Sequence, residues 1–527
     1  MKHYSDSARP LPRLSTLALL AGSLSLFGCA SVGPDFKQPA APTVSSYTAQ
    51  PLPAQTVTAP GTAAGGAQHF AVGQTVSSTW WHNFGSARLD AYIDQAMRNS
   101  PTLQSAQATL RQAQQTYAAQ AGSSEYPQVN AKLGAQRNGT NNSSMGLEGG
   151  DRIYNLYNAG VTVSYNLDVF GGNRRLLESY AAQADYQRYQ LEASRLTLAA
   201  NIVTTAMAQA QYGAQISASK AILAAQQKQV DIAHERLKLG AIARADALSL
   251  ETQLEQTRAG IPPLQNKLDQ TNHLLAILAG EAPGAAEVPQ FTLADFSLPA
   301  EVPVVIPSEL VRQRPDIRAS EALLHAASAQ YGVAIANGYP QISLSANLGS
   351  QALTTSSLFG AGTMVWGLAG QLVQPLFNAG LKAGVKSAQA GLDAAAANYR
   401  QSVLQGLRNV ADTLRALDND AQTLQAQAAA DKSAQMALGL MQQQYQLGGA
   451  SYLQLLTAQQ QAQQTQINLI AAQVQRLTDT AALYQAMGGG WSNQSAPAKP
   501  VVKTNEEALM FYSNLPFESQ LMHGVLL

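Results

Sequence analysis

The sequence predicts a mixed fold: a transmembrane β-barrel shared among several chains, continuous with a long α-helical coiled-coil barrel. Three observations carry that expectation. A set of landmarks recurs once along the chain at a nearly constant offset of about 210 residues. Four segments of about ten residues alternate with the period of a strand, and two proline-free stretches of about 66 residues follow a helical period.

The elements follow in chain order. Residues 1–28 read as a lipoprotein signal peptide, with Lys2, Arg9 and Arg13 ahead of the short apolar run Leu14 to Gly28. Fifteen helical residues span only about 22 Å, too short for a comfortable membrane crossing. The run ends in Leu26-Phe27-Gly28-Cys29, and Cys29 is the only cysteine of the 527 residues, so it is the lipidation candidate and no intrachain disulfide can form. An ordinary signal peptide with an incidental cysteine is the alternative. No cofactor is expected beyond a covalent lipid on Cys29, and acylation there would supply the several chains that stable anchoring in a membrane requires. Residues 29–79 form a Pro/Ala/Thr-rich tether with too few large apolar side chains to pack a core of its own.

The first unit, 80–300, places strands at about 127–138 and 157–169, a long helix at 174–239 and a returning helix at 241–280. Val129, Ala131, Leu133 and Ala135 alternate with Asn130, Lys132, Gly134 and Gln136; Val161, Val163, Tyr165 and Leu167 alternate with Thr162, Ser164, Asn166 and Asp168. A soluble sheet with one solvated side would alternate in the same way. The ten-residue length and the small, mostly uncharged polar residues point instead to strands that line a wet lumen across a bilayer. Four strands cannot close a barrel, and lipid tolerates no open edge, so several chains must contribute. The long helix would reach about 99 Å. Ile261-Pro262-Pro263 is expected to break the returning helix.

The second unit, 301–490, repeats the order, with strands at about 340–350 and 365–375, a long helix at 382–447 and a returning helix at 450–487. Tyr126-Pro127-Gln128 recurs as Tyr339-Pro340-Gln341, Phe170-Gly171 aligns with Phe377-Asn378, and Leu239-Gly240 aligns with Leu447-Gly448-Gly449. Val403, Leu407, Val410, Leu414, Leu417, Ala421, Leu424 and Ala428 make a heptad seam, the mark of helices that pack on other helices. Gly after Leu at the end of each long helix marks a hairpin tip. Residues 491–527 read as a loosely ordered tail.

Formal charge is zero, with 33 Lys+Arg against 33 Asp+Glu, which argues against nucleic acid as a partner. The seven histidines are scattered, and no nucleophile elbow, phosphate loop or metal-ligand spacing occurs, so no enzyme is expected.

Cys29 with Gly33-Pro34-Asp35-Phe36, Trp80-Trp81, Leu167-Asp168-Val169-Phe170-Gly171, the run Arg312-Gln313-Arg314-Pro315-Asp316 and Gln374-Pro375-Leu376-Phe377 together resemble the outer-membrane efflux lipoproteins of the TolC-like superfamily, of NodT/OprM type. The resemblance covers about residues 29 to 490. It implies a homotrimer set in outer-membrane lipid, with a twelve-stranded outer-membrane barrel and a helical tube in the periplasm. It further implies service as the exit duct of a tripartite pump, with a periplasmic adaptor and an inner-membrane RND-type transporter as partners. A protein-exporting duct of the same fold and a coiled-coil scaffold lipoprotein are the alternatives. By the same resemblance Asp246 and Tyr445 match a latch that holds the tip closed, with Leu239, Gly240, Gly448 and Gly449 shaping the tip. Asp246 could equally be a solvated helix residue. The latch arginine corresponds to Ala450, and the paired carboxylates of the constriction correspond to Gln454 and Thr457. A cation-binding ring is therefore in doubt, and a tip held by packing and weaker polar contacts is expected.

Overall fold

The computed structural model describes residues 31–141 and 152–491. The leader 1–28, Cys29 and the tail beyond Trp491 lie outside the described residues. In chain order the elements are β1 (His69–Val72), α1 (Ala87–Asn99), α2 (Pro101–Ser124), β2 (Gln128–Thr140), β3 (Arg152–Leu167), α3 (Gly172–Lys238) and α4 (Arg244–Leu278). The chain continues through β4 (Glu301–Val304), α5 (Pro307–Gln313), α6 (Pro315–Ala336), β5 (Gln341–Ala352), β6 (Met364–Val373), α7 (Ala379–Gln446) and α8 (Tyr452–Ala486).

β2, β3, β5 and β6 form one antiparallel sheet in that order, so β2 and β6 are its edges. The strands run 13, 16, 12 and 10 residues. β3 begins at Arg152 instead of about 157, because Arg152 to Leu156 pair with Thr140 to Gln136 although their side chains no longer alternate cleanly. Register sorts the side chains. Val129 faces Val163, Ala131 faces Val161 and Leu348 faces Trp366 on one side of the sheet; Asn130 faces Thr162, Thr162 faces Asn347 and Gln128 faces Ser164 on the other. The apolar side is bare: Leu133 is 83% exposed, Trp366 70% and Leu368 77%. A contiguous apolar face of that kind has no place in water.

Two hairpins of helices continue from the sheet. α3 and α7, of 67 and 68 residues, pack against the returning helices α4 and α8, while α6 lies against both long helices. The α7 seam is buried at Val403, Val410, Leu414, Leu417, Ala421 and Leu424. α3 is buried on more than one side, at Ala199, Ala200, Val203, Ala206 and Met207 as well as Ile202, because α2, α4, α6 and α8 all touch it. Its sequence therefore shows no single stripe. α4 runs unbroken through Pro262 and Pro263, contrary to the expected break. Both prolines are exposed and Ile261 beside them is buried, so the carbonyls of Arg258 and Ala259 lose their helical partners on the side facing water.

The tether has no core of its own, yet residues 31–79 are fastened along the helices. Val32 N–H donates to Phe170 O at 3.0 Å where the strands meet α3. Arg175 donates to Asp35 at 2.6 Å and to Glu178 at 2.8 Å, and Phe36 stacks on His325. Gly332 leaves room for this: a Cβ there would sit 3.0 Å from the Arg175 side chain. Farther along, the fully buried Arg476 of α8 donates to Thr56 Oγ1 at 2.7 Å and Ala64 O at 3.0 Å. Trp80, Phe84 and Tyr484 close the main core, with Trp80 stacked on Tyr484 at 5.5 Å.

Candidate functional site

The predicted site residues other than Cys29 sit where the two hairpins turn. Both turns use one backbone device. Gly240 has φ +67, its N–H donates to Leu237 O at 3.0 Å, and Ala241 N–H donates to Arg236 O at 2.8 Å. Gly448 has φ +78, its N–H donates to Tyr445 O at 3.2 Å, and Gly449 N–H donates to Gln444 O at 2.8 Å. This paired bonding satisfies the last carbonyls of a helix and needs a left-handed residue that only glycine adopts without cost. Leu239 and Leu447, just ahead of these glycines, stand bare at 82% and 87% exposure.

The returning helices start differently. Asp246 lies half-buried in the first turn of α4, where a carboxylate complements the helix N-terminus. α8 starts with a capping box: Ser451 Oγ accepts from Gln454 N–H, and Gln454 Oε1 accepts from Ser451 N–H at 2.7 Å. Gln454 is thus committed to starting a helix. Thr457 Oγ1 donates to Leu453 O at 2.9 Å. Both residues border an open depression of about 510 Å³ that Met441 and Leu453 also line. Among the described residues no group of three or more His, Cys, Asp or Glu could hold a metal ion.

Tyr452, which the sequence reading did not single out, joins the two tips. Its ring meets Tyr445 edge-on at 6.3 Å and packs on the Val230, Ala233, Leu250 and Leu254 cluster of the first hairpin. The Arg236 guanidinium, from the last turn of α3, lies 5.5 Å over the Tyr445 ring. Burial, then Tyr445, then Asp246 push the Tyr452 phenol up to about 12, and its hydroxyl has no hydrogen-bond partner among the described residues. Asp246 and Tyr445 are therefore brought to the same tyrosine. Behind them, Gln459 donates to Gln229 at 2.6 Å and Gln460 to Gln253 at 2.7 Å, tying α8 to both helices of the first hairpin. Arg236 had a readable signal as a cation in a helix's last turn, and Tyr452 as the residue after a capping serine.

A four-stranded sheet with one bare apolar face, continuous with two long helical hairpins, is the architecture of a membrane channel protein with a helical conduit. The chain belongs to the outer membrane efflux protein family, which it matches over residues 92–281 and again over 306–489. It is 28% identical over 487 residues to the probable outer membrane lipoprotein SilC of Salmonella typhimurium, covering 91% of this chain and 98% of that protein. Over 475 residues it is 29% identical to the solvent efflux pump outer membrane protein SrpC of Pseudomonas putida, covering 89% and 97%. The outer-membrane channel OprN has the same fold, with a TM-score of 0.77 at 26% identity over 88% of this chain and all of that one. The Campylobacter jejuni CmeC outer membrane channel shares the fold at a TM-score of 0.79 and 20% identity, covering 88% and 95%. The chain is an outer-membrane efflux channel protein.

Proposed function

We propose that three copies of this chain close one twelve-stranded barrel and one helical tube, and that this duct carries small toxic molecules out of the periplasm passively. The observation that carries this reading is the sheet: its apolar face is bare and both of its edges, β2 and β6, are unpaired among the described residues. Lipid accepts such a face but no open edge, so neighbouring copies must supply the missing strands. The matching element order of the two halves supports an internal duplication, which gives each chain two hairpins for the tube.

On this reading the tips meet a periplasmic adaptor, and an inner-membrane RND-type transporter supplies the energy. Relatives are named for solvent efflux, cation efflux and pyoverdine export, so one scaffold serves chemically unlike cargo and the transporter sets the choice. A lipid on Cys29 would anchor the chain beside the barrel base, because Val32 is bonded to Phe170 at the junction of strand and helix.

The test is a deletion strain complemented with the full chain. Hypersensitivity to small toxic compounds, with a heat-modifiable trimer in the outer membrane, is expected. Loss of a secreted protein without hypersensitivity would instead make the chain a protein-export duct, and a monomer outside the membrane would overturn both.

A further inference from the structure

We propose that Lys132 forms a positive band halfway up the barrel lumen, which favours anionic over cationic solutes. This rests on the duct reading above, in which the polar side of the sheet faces inward. Strand alternation puts Lys132 on that side with Gln128 and Asn130. The four strands contain three cations, Lys132, Arg137 and Arg152, and no carboxylate. Arg137 falls on the apolar side, opposite Asn155, and Arg152 pairs with Thr140 at the far end of β2. Lys132 is the mid-strand charge of the inner face.

Its surroundings leave the ammonium uncompensated. Lys132 is exposed and makes no ion pair among the described residues. It stands opposite Gly160, which stands opposite Gly349. These two strands approach so closely that a Cβ on Gly160 would lie 2.9 Å from Leu348 O, and one on Gly349 would lie 2.6 Å from Ala159 O. The row beside Lys132 is therefore bare backbone for two strands, and the side chains that flank it on that face, Asn130, Thr162 and Asn158, are uncharged. Arg152 and the Asp168–Arg174 ion pair each lie eight residues away along the strands, about 27 Å at ~3.4 Å per residue. That is several screening lengths at about 8 Å each, so neither end neutralises the centre. Each copy in a closed barrel adds one more ammonium at the same level, inside low-dielectric walls that strengthen the field.

The test reads local potential independently of whether the tip is open. In the full chain, whose only native cysteine is Cys29, Asn130→Cys places a thiol two residues from Lys132 on the same face. Its labelling rates by an anionic sulfonatoethyl and a cationic trimethylammonioethyl methanethiosulfonate are measured on purified trimers, each relative to a free thiol in solution. The anionic reagent should be favoured by about threefold or more at low ionic strength and lose that advantage in high salt. Adding Lys132→Gln should abolish the preference, and Lys132→Glu should invert it. A normalised ratio of one with Lys132 present, or a preference that survives Lys132→Gln, overturns the proposal. If Asn130→Cys is unlabelled while Ala131→Cys reacts, the faces are reversed; the duct reading then fails, and this inference falls with it.

Discussion

At Gly240 and at Gly448 the chain stops a long helix in the same way, with a bare leucine, a left-handed glycine and two backrunning hydrogen bonds. The side chains around those turns share almost nothing. The first tip is charged: His234 pairs with Glu251, Lys238 with Glu235, Arg236 lies over Tyr445, and Asp246 is near enough to Tyr452 to act on its phenol. The second tip carries Tyr445, Tyr452 and a run of glutamines, with no charged residue between Lys432 and Arg476. Matching backbones thus hold complementary chemistries, a cation from one tip over an aromatic face of the other. A closure built that way depends on contact between unlike hairpins, and a substitution in one tip is not equivalent to its counterpart in the other.

The sharpest way to break the pairing is Tyr452→Ala. It removes the ring that reaches from the second tip into the Val230–Leu254 cluster of the first, together with its contact to Tyr445. Loss of a half-buried aromatic of this kind costs about 2 kcal/mol or more. The expected outcome is a large rise in single-channel conductance and in antibiotic leak, with trimers still formed. Tyr452→Phe should stay closed, because the hydroxyl makes no hydrogen bond. Equal leak from both variants would show that the ring does not hold the tips together.

The hairpins also differ in how far their sequences reveal them. The seam of α7 is legible because one face of that helix is buried, so its apolar residues fall in steps of three and four. α3 is enclosed by five helices, and small residues such as Ala199, Ala206 and Ala210 serve its contacts, which leaves no stripe to read. Pro262-Pro263 misled because proline's effect on a helix depends on which side its lost hydrogen bond faces, and that is a tertiary property. At the tips, Leu-Gly stops are local chemistry and were readable. The Arg236–Tyr445–Tyr452 contact joins residues from both hairpins, about 210 positions apart, and no spacing within either half announces it.

Away from the tips the second hairpin carries a pair with no counterpart in the first. Asp420 of α7 is raised to about 7 by burial and by the nearby Asp479 of α8, against the opposing pull of Arg476, and its Oδ2 has no hydrogen-bond partner among the described residues. With a folded value above the ordinary 3.8, the group's contribution to stability is fully present below about 3.8 and is lost as pH rises through about 7. Asp420→Asn should therefore raise Tm at pH 8, and the gain should shrink as pH falls from 7 toward 4. A gain of equal size at pH 4 and pH 8 would remove the carboxyl pair as its source.

The smallest effects should come from the two charges that the first tip presents. Arg236 contributes a cation over Tyr445 at a partly exposed site, worth about 0.5–1 kcal/mol. Arg236→Gln should therefore raise conductance and leak modestly, and Arg236→Lys should recover part of the closure, because the positive charge remains. The Asp246 carboxylate makes no hydrogen bond or ion pair among the described residues, so it acts on Tyr452 only through its field. Asp246→Ala should still loosen the tip, by less than Arg236→Gln, since it also removes a favourable charge from the first turn of α4. The order is what matters: Tyr452→Ala above Arg236→Gln above Asp246→Ala. No change with Asp246→Ala would exclude Asp246 from holding the tip closed. An effect of Asp246→Ala exceeding that of Tyr452→Ala would mean that charge, and not the aromatic contact between unlike tips, holds the duct shut.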